Sequence, residues 1–112
     1  MKKFQLGEFE EIVLLTVAVL DQEAYGFGIK EEIESRQERS VSIGALQSAL
    51  RRMENKGYLT SQKGEGSTER GGRPKLFFRI TAYGMKALDY NKNARLDLWN
   101  SIPASVSKLS YD

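Results

Sequence analysis

The spacing of apolar and polar residues predicts two helices in the first third of the chain. A dense apolar stretch over residues 12–20 follows three glutamates, which suit the first turn of a helix, so we predict a helix over residues 8–21 that is buried on most sides. A second helix is predicted over about residues 26–36. There, three apolar residues recur every four positions and should point inward: Tyr25, Ile29 and Ile33.

The third predicted helix has the clearest boundaries. Ser42 is a suitable N-cap and Gly57 suits the position just after the last turn, which predicts a helix over residues 43–56. Its apolar residues occupy one stripe and should face the core: Ile43, Leu46, Leu50 and Met53. The opposite face is small near its start and polar or cationic along its length: Gly44, Ala45, Ser48, Arg51, Arg52 and Asn55.

Two strands and a last helix follow. Residues 58–63 and 75–81 predict a β-hairpin with a long, mobile tip that is rich in glycine. Thr81 is suited to cap a fourth helix that continues to about residue 100, and the chain from Pro103 is expected to be frayed. Because the centre of the fourth helix is polar, we expect this helix to lean on another chain.

The order helix, helix, helix, strand, loop, strand, helix is that of a winged helix-turn-helix with an additional C-terminal helix. The predicted fold class is therefore mainly α with a small β-hairpin. We expect residues 1–80 to form the winged helix-turn-helix domain and residues 81–102 to form a dimerisation helix packed on the same domain. Residues 103–112 are expected to be a flexible tail.

Composition argues against an enzyme. The 112-residue chain has no cysteine and no histidine, which removes the most reactive nucleophile, the commonest general base and the commonest metal ligand. Acidic pairs such as Glu10 with Glu11 and Glu31 with Glu34 are explained more simply by solvated helix surfaces. We therefore expect no catalysis, no metal and no cofactor. The longest apolar run is too short for a bilayer, which takes about 20 residues, so no membrane partner and a cytoplasmic location are expected.

The net charge of +2 conceals an asymmetry along the chain. Residues 1–50 carry five basic and nine acidic side chains, a net of −4, whereas residues 51–79 carry eight basic and three acidic ones, a net of +5. This basic block covers the third helix and the hairpin, which are the elements that a winged helix-turn-helix presents to DNA. A solvated basic surface explains the block equally well by itself, but together with the fold it predicts double-stranded DNA as a partner.

The candidate DNA contacts follow from that placement. Base readout is expected mainly from Gln47, Ser48 and Arg51, because glutamine pairs well with adenine and arginine with guanine. Ser42, Arg52 and Asn55 complete the contacts of the third helix. Basic residues of the hairpin should contact phosphates or the adjacent minor groove: Lys63, Arg70, Arg73 and Lys75.

A homodimer is expected because operators of helix-turn-helix proteins usually consist of two half-sites about one turn apart. The predicted interface lies on the fourth helix and comprises Met85, Leu88, Leu96 and Trp99. Trp99 has two interpretations: an interface packing residue, which is the simpler one, or one wall of a pocket for a small aromatic or hydrophobic effector. The alternative function is a winged-helix module for protein–protein assembly without DNA binding, which leaves the charge asymmetry unexplained.

Several segments carry a family pattern. They are Leu6-Gly7, Tyr25-Gly26, the run Ile43-Gly44-Ala45-Leu46-Gln47-Ser48-Ala49-Leu50-Arg51-Arg52-Met53-Glu54-Asn55-Lys56-Gly57-Tyr58-Leu59, the run Gly71-Gly72-Arg73-Pro74-Lys75-Leu76-Phe77-Phe78-Arg79-Ile80-Thr81, and Gly84. In order and spacing, over roughly residues 6–88, they resemble the short form of the PadR-like transcriptional regulators. The resemblance implies a homodimer formed through the C-terminal helix, with repression as the usual mode. It also implies that planar hydrophobic compounds bind some relatives near that helix.

The sequence departs from this family on the third helix. Ala45, Gln47 and Ser48 stand where Thr, Tyr and Pro are usual. The family's tyrosine commonly helps to hold the DNA backbone, and Gln47 keeps a hydrogen-bond donor without the ring. In the second strand, Phe77 and Phe78 stand where tyrosines are common, which keeps the packing but removes hydroxyls. These departures fall where DNA would be touched, so they bear on the target sequence and on the affinity.

Overall fold

A computed structural model describes residues 4–66 and 74–109. Helix α1 (Glu8–Leu20) leads through a single 3-10 turn (Asp21–Glu23) to α2 (Gly26–Gln37) and α3 (Ile43–Asn55). The antiparallel strands β1 (Leu59–Gly66) and β2 (Pro74–Ile80) come next, followed by α4 (Ala82–Asn100) and the one-turn helix α5 (Ala104–Ser107). This order confirms the predicted mainly α winged helix-turn-helix with an additional C-terminal helix.

The core lies where the first three helices meet the hairpin. Each of these elements contributes side chains that are almost fully buried: Val13, Leu14 and Val17 from α1, Ile29 and Ile33 from α2, Leu46, Leu50 and Met53 from α3, and Leu59 and Phe78 from the hairpin. Burial of this apolar surface is the main favourable contribution to folding. The stripes predicted for α2 and α3 therefore contribute to the core, except for the half-buried Tyr25 and for Ile43.

Two predictions about burial are wrong. Ile43 was expected to face the core, but its side chain is 46% exposed because it is the first residue of α3 and lies beyond the edge of the core. Helix α1 was expected to be buried on most sides, yet Leu15 and Val19 are exposed. In both places an apolar residue at the helical spacing lies on the surface.

The ends of α3 are fixed by local hydrogen bonds. The Ser42 hydroxyl accepts a hydrogen bond from the Ala45 N–H (3.2 Å), as predicted for an N-cap. At the other end Gly57 adopts φ +84°, and the Tyr58 and Gly57 N–H groups donate to the carbonyls of Met53 and Glu54. This Schellman motif favours glycine because only glycine adopts a positive φ without strain.

The hairpin is attached through the free edge of β2 to the segment that precedes α2. Leu59 pairs with Ile80 and Lys63 with Leu76 in the antiparallel register. On the other side of β2, Phe77 forms a bridge with Tyr25, and the Phe78 N–H donates to the Ala24 carbonyl (2.7 Å). The first strand extends to residue 66, three residues further than predicted, and so includes the start of the predicted mobile tip. The part of that tip over residues 67–73 lies outside the described residues.

Helix α4 has buried residues in its first half only. Gly84 and Leu88 are buried there, and the Asn91 side chain accepts from the Leu6 N–H (3.3 Å) and donates to the Phe4 carbonyl (2.8 Å). Every residue from 92 to 109, which we call the C-terminal arm, is exposed. Where the sequence predicts a frayed tail, the arm instead forms the single turn α5, with all of its side chains exposed.

Candidate nucleic-acid interface

The outward face of α3 is an uncovered polar surface. Ser48, Arg51 and Asn55 follow one another at intervals of three and four residues, so they lie on one line along the helix, and all three are exposed. Gly44 continues the line one turn earlier, where the missing side chain allows close approach. Among the described residues, Arg51 has no ion-pair partner. Its guanidinium therefore stands ready to bind an anion or a base edge.

Arg52 is held differently from Arg51. Its Nε donates to Glu10 Oε2 (2.9 Å), and Lys56 Nζ lies 3.9 Å from the same oxygen. Burial raises the pKa of the Glu10 carboxyl, but the hydrogen bonds from Arg52 and the Gly7 N–H and the positive charge of Lys56 outweigh this, so its pKa is lowered. The structure thus turns Arg52 toward α1, away from the line formed by Arg51.

A groove of about 510 Å³ separates α3 from the second strand. Gln47 and Arg51 line it on the α3 side, and Lys75 lines it on the strand side. The ammonium of Lys75 lies 4.2 Å from the centre of the Tyr25 ring, a cation–π contact that fixes its position at the rim. Two basic residues and one amide from different elements therefore converge on one groove.

The hairpin of β1 and β2 is the wing of this fold, and the DNA-contacting residues predicted on it fall into two groups. Lys75 is half-buried on β2 and lines the groove. Lys63 is exposed on β1, the strand that pairs with β2. Arg70 and Arg73 lie outside the described residues. Sequence analysis missed the apolar walls of the groove, Phe27 and Leu76, because neither residue breaks the pattern of its own helix or strand.

The predicted dimer residues also divide. Met85, Leu96 and Trp99 are exposed on α4, whereas Leu88 is buried in the core of its own chain and has little surface left for a partner. Met85 and Leu96 line a depression of about 330 Å³ between α1 and α4 together with Leu15.

One ion pair crosses this contact of the two helices: the buried Glu11 Oε1 lies 2.6 Å from Arg95 Nη1. Trp99, which is 70% exposed, does not line the depression, so the geometry does not support the effector hypothesis.

Two other kinds of site are missing from residues 4–66 and 74–109. No helix in these segments is long and apolar enough to cross a membrane. The same segments contain no group of three or more Asp, Glu, His or Cys side chains placed to hold a metal ion.

Comparison with known proteins identifies the family. A family model described as the transcriptional regulator PadR-like family matches residues 14–90. No curated protein shows a significant sequence match to the chain.

Solved structures share the fold. The smu.1704 protein of Streptococcus mutans is 25% identical, with 92% of this chain and 91% of that chain covered and a TM-score of 0.66. A PadR-like transcription factor from Bacteroides fragilis (22% identity, coverage 83% and 84%, TM-score 0.70) has the same fold. A PadR-like regulator from Bacillus cereus also has this fold (17% identity, coverage 91% of this chain and 93% of that chain, TM-score 0.69). Since the family model covers more than half of the chain, the chain belongs to the PadR-like transcriptional regulators, a family of regulators and not of enzymes.

Proposed function

We propose that the protein is a sequence-specific DNA-binding transcriptional regulator in which α3 enters a major groove. The observation that carries this proposal is the uncovered line of Ser48, Arg51 and Asn55 on a well-capped helix, with Arg51 free of ion pairs among the described residues. The major groove of B-DNA, about 12 Å wide, accepts an α-helix. Membership of a family of transcriptional regulators supports the same function.

The side chains of α3 suit different contacts. Arg51 can form a bidentate pair with guanine, Gln47 with adenine, and Ser48 can bond to either purine or pyrimidine edges. Ser42 uses its hydroxyl oxygen to cap the helix, which leaves the hydroxyl hydrogen for a phosphate. We assign Arg52, which Glu10 holds to one side, to the DNA backbone instead of a base.

Phosphate contacts from the wing would set register and salt dependence. We assign this role to Lys75, which lines the groove, to the exposed Lys63 on the neighbouring strand, and to Arg70 and Arg73 on the strength of the sequence alone. Asn55, at the far end of α3, suits a further contact to the backbone. Such contacts carry no sequence information, so their loss should weaken binding to every DNA alike.

We further propose that the protein acts as a homodimer on a pseudo-palindromic operator. The C-terminal arm carries large apolar side chains that the described part of the chain leaves uncovered, among them Leu96, Leu98 and Trp99. Exposed apolar patches of this kind mark interfaces, and a second copy would bring two α3 helices to successive turns of DNA. Repression is proposed from the family resemblance, and a cytoplasmic location from the need to reach the genome.

The test is DNA selection followed by binding measurements. The purified full chain is used to select fragments from a random duplex library, and the selected fragment is compared with its scrambled version by fluorescence anisotropy at several salt concentrations. We expect selective binding with log K falling by several units per decade of salt. Arg51→Ala should cost about 1 to 3 kcal/mol and relax the preference at one base position, whereas Lys63→Ala should weaken binding to both fragments.

A matched control removes the same charge elsewhere. Arg36 is exposed at the end of α2 and pairs with Glu32, so Arg36→Ala should leave selectivity unchanged. Equal affinity of the wild type for selected and scrambled DNA would overturn the proposal and favour a protein–protein assembly module.

The dimer has a test of its own. Trp99 is the chain's single tryptophan and its side chain is exposed, so its fluorescence emission should shift to the red when a dimer that covers it dissociates on dilution. An emission maximum and a sedimentation coefficient that both stay at monomer values up to about 100 µM would contradict dimerisation through the arm.

A further inference from the structure

Three apolar side chains stand exposed around the groove between α3 and the wing. They come from three different elements: Phe27 (54% exposed) from α2, Ile43 (46%) from α3 and Leu76 (43%) from β2. None of them belongs to the core, and all three line the same groove. The groove that Arg51 and Lys75 line therefore also contains an exposed apolar patch.

Ile43 occupies a defined place on α3. Gln47 and Arg51 follow it at intervals of four residues, and all three line the groove, so they form a second line along the side of the helix that faces the wing. The N-terminal residues of a recognition helix are those that reach base edges. Ile43 is the first residue of α3, which places an apolar side chain at the end that penetrates deepest.

The charges around the patch define what can occupy it. Arg51 and Lys75 stand on opposite sides of the groove and favour an anionic partner. Glu54 also lines the groove, but its carboxylate accepts a hydrogen bond from the Ser61 hydroxyl (2.6 Å). An occupant must therefore combine an anionic frame with a small apolar group, and duplex DNA presents one such group in the major groove, the C5-methyl of thymine.

We infer that Ile43, with Phe27 and Leu76 beside it, reads thymine methyl groups of the operator next to the base that Gln47 contacts. The inference rests on the proposed DNA-binding function and adds to it a class of target, sites in which thymine stands beside an A·T pair. It makes Ile43 a specificity-determining residue, although the residue has no hydrogen-bonding group.

The test removes the methyl groups and nothing else. The operator recovered by the selection is synthesised once with thymine and once with uracil throughout, and the wild-type chain is titrated against both. We expect the uracil duplex to bind about fourfold more weakly for each contacted methyl group. This is the factor expected when one buried group of about the size of a methylene is lost from an apolar contact. Ile43→Ala should bind the two duplexes with nearly equal affinity and still prefer the operator to scrambled DNA.

Two further variants keep the result interpretable. Phe27→Ala removes the wall supplied by α2 and should also reduce the thymine-to-uracil ratio. Val19→Ala removes an exposed branched side chain from α1, which does not line the groove, and should keep the wild-type ratio. Since Ile43 and Phe27 are both about half exposed, neither truncation opens a cavity in the core.

The outcomes separate this inference from the function on which it rests. If the wild type binds both duplexes equally, or if Ile43→Ala keeps the wild-type ratio, the inference is overturned while selective DNA binding stands. If the wild type selects no DNA at all, the proposed function and the inference fail together.

Discussion

The two halves of α4 differ in what surrounds them. The first half, up to Asn91, buries residues against the hairpin and α1, whereas none of residues 92–109 is buried. The second half is nevertheless not purely polar, since it carries Leu96, Leu98 and Trp99. One continuous helix thus has a first half that packs on its own core and a second half that we propose to pack on a second copy of the chain. Helical spacing alone does not tell these two uses apart.

The sharpest contrast comes from truncating the same residue type in each region. Leu14 is fully buried in α1 and Leu98 is 73% exposed in the arm. Leu14→Ala should lower the free energy of unfolding by about 3 to 5 kcal/mol, because it removes buried surface and leaves a cavity. Leu98→Ala should change it by less than about 0.5 kcal/mol at concentrations where any dimer is dissociated. Chemical denaturation followed by circular dichroism measures both, and similar losses would mean that the arm packs within the chain.

A pair of glycines tests how tightly the first half of α4 is packed. A Cβ added at Gly84 would stand 2.3 Å from the Tyr58 carbonyl oxygen, so Gly84→Ala must push α4 away from the hairpin and should cost about 1 to 3 kcal/mol. At the exposed Gly44 the nearest atom to an added Cβ is 3.8 Å away. Gly44→Ala should therefore stabilise the protein by up to about 1 kcal/mol through helix propensity. A neutral Gly84→Ala in thermal melts would show that this contact is loose.

Sequence analysis succeeded where local chemistry decides the structure. Ser42 and Gly57 fix the ends of α3 through hydrogen bonds to their own neighbours, and Thr81 caps α4 in the same way, by accepting from the Gly84 N–H (2.9 Å). These signals depend on a few adjacent residues, so they can be read from the sequence.

The predictions from the sequence are wrong where burial depends on distant elements. Ile43 fits the apolar stripe of α3, but only the position of the wing shows that its side chain lies outside the core. Leu88 likewise fits the predicted dimer stripe, yet it is buried against its own chain. The pairing of Arg52 with Glu10 joins residues 42 positions apart, and no spacing rule connects them. Whether a residue belongs to the core or to the surface is decided by such long-range contacts.

Asparagine provides a contrast at the boundary between the two halves. The Asn91 side chain is buried and bonds to the Leu6 N–H and to the carbonyls of Phe4 and Ala87, whereas Asn93, two residues later, is exposed. Asn91→Ala should lower the free energy of unfolding by about 1 to 2 kcal/mol, because buried backbone groups lose their partners. Asn93→Ala should change it by less than about 0.5 kcal/mol. Increased amide hydrogen exchange at Leu6 in the first variant only would locate the effect, and equal stability of the two variants would contradict a boundary at Asn91.

The smallest expected effect is the pH dependence of the ion pair between Glu10 of α1 and Arg52 of α3. This contact lies in the packed region and not in the C-terminal arm. Burial alone would raise the pKa of Glu10. The hydrogen bonds from Arg52 and the Gly7 N–H and the charge of Lys56 together have the larger effect, so the pKa is lowered overall. A carboxyl with a lowered pKa in the folded state stabilises the protein above its ordinary pKa, and this contribution disappears as the pH falls through the lower, folded-state value.

Glu10→Gln should therefore be less stable than the wild type by about 0.5 kcal/mol near pH 7, the size expected for a partly exposed ion pair. The difference should shrink as the pH falls below about 4, because the wild-type carboxyl then becomes protonated as well. Urea denaturation of both proteins between pH 3 and pH 7 measures the difference, and Arg52→Ala separates the ion pair from the hydrogen bond to Gly7. A difference that stays constant over this range would mean that Glu10 acts through packing or capping and not through its charge.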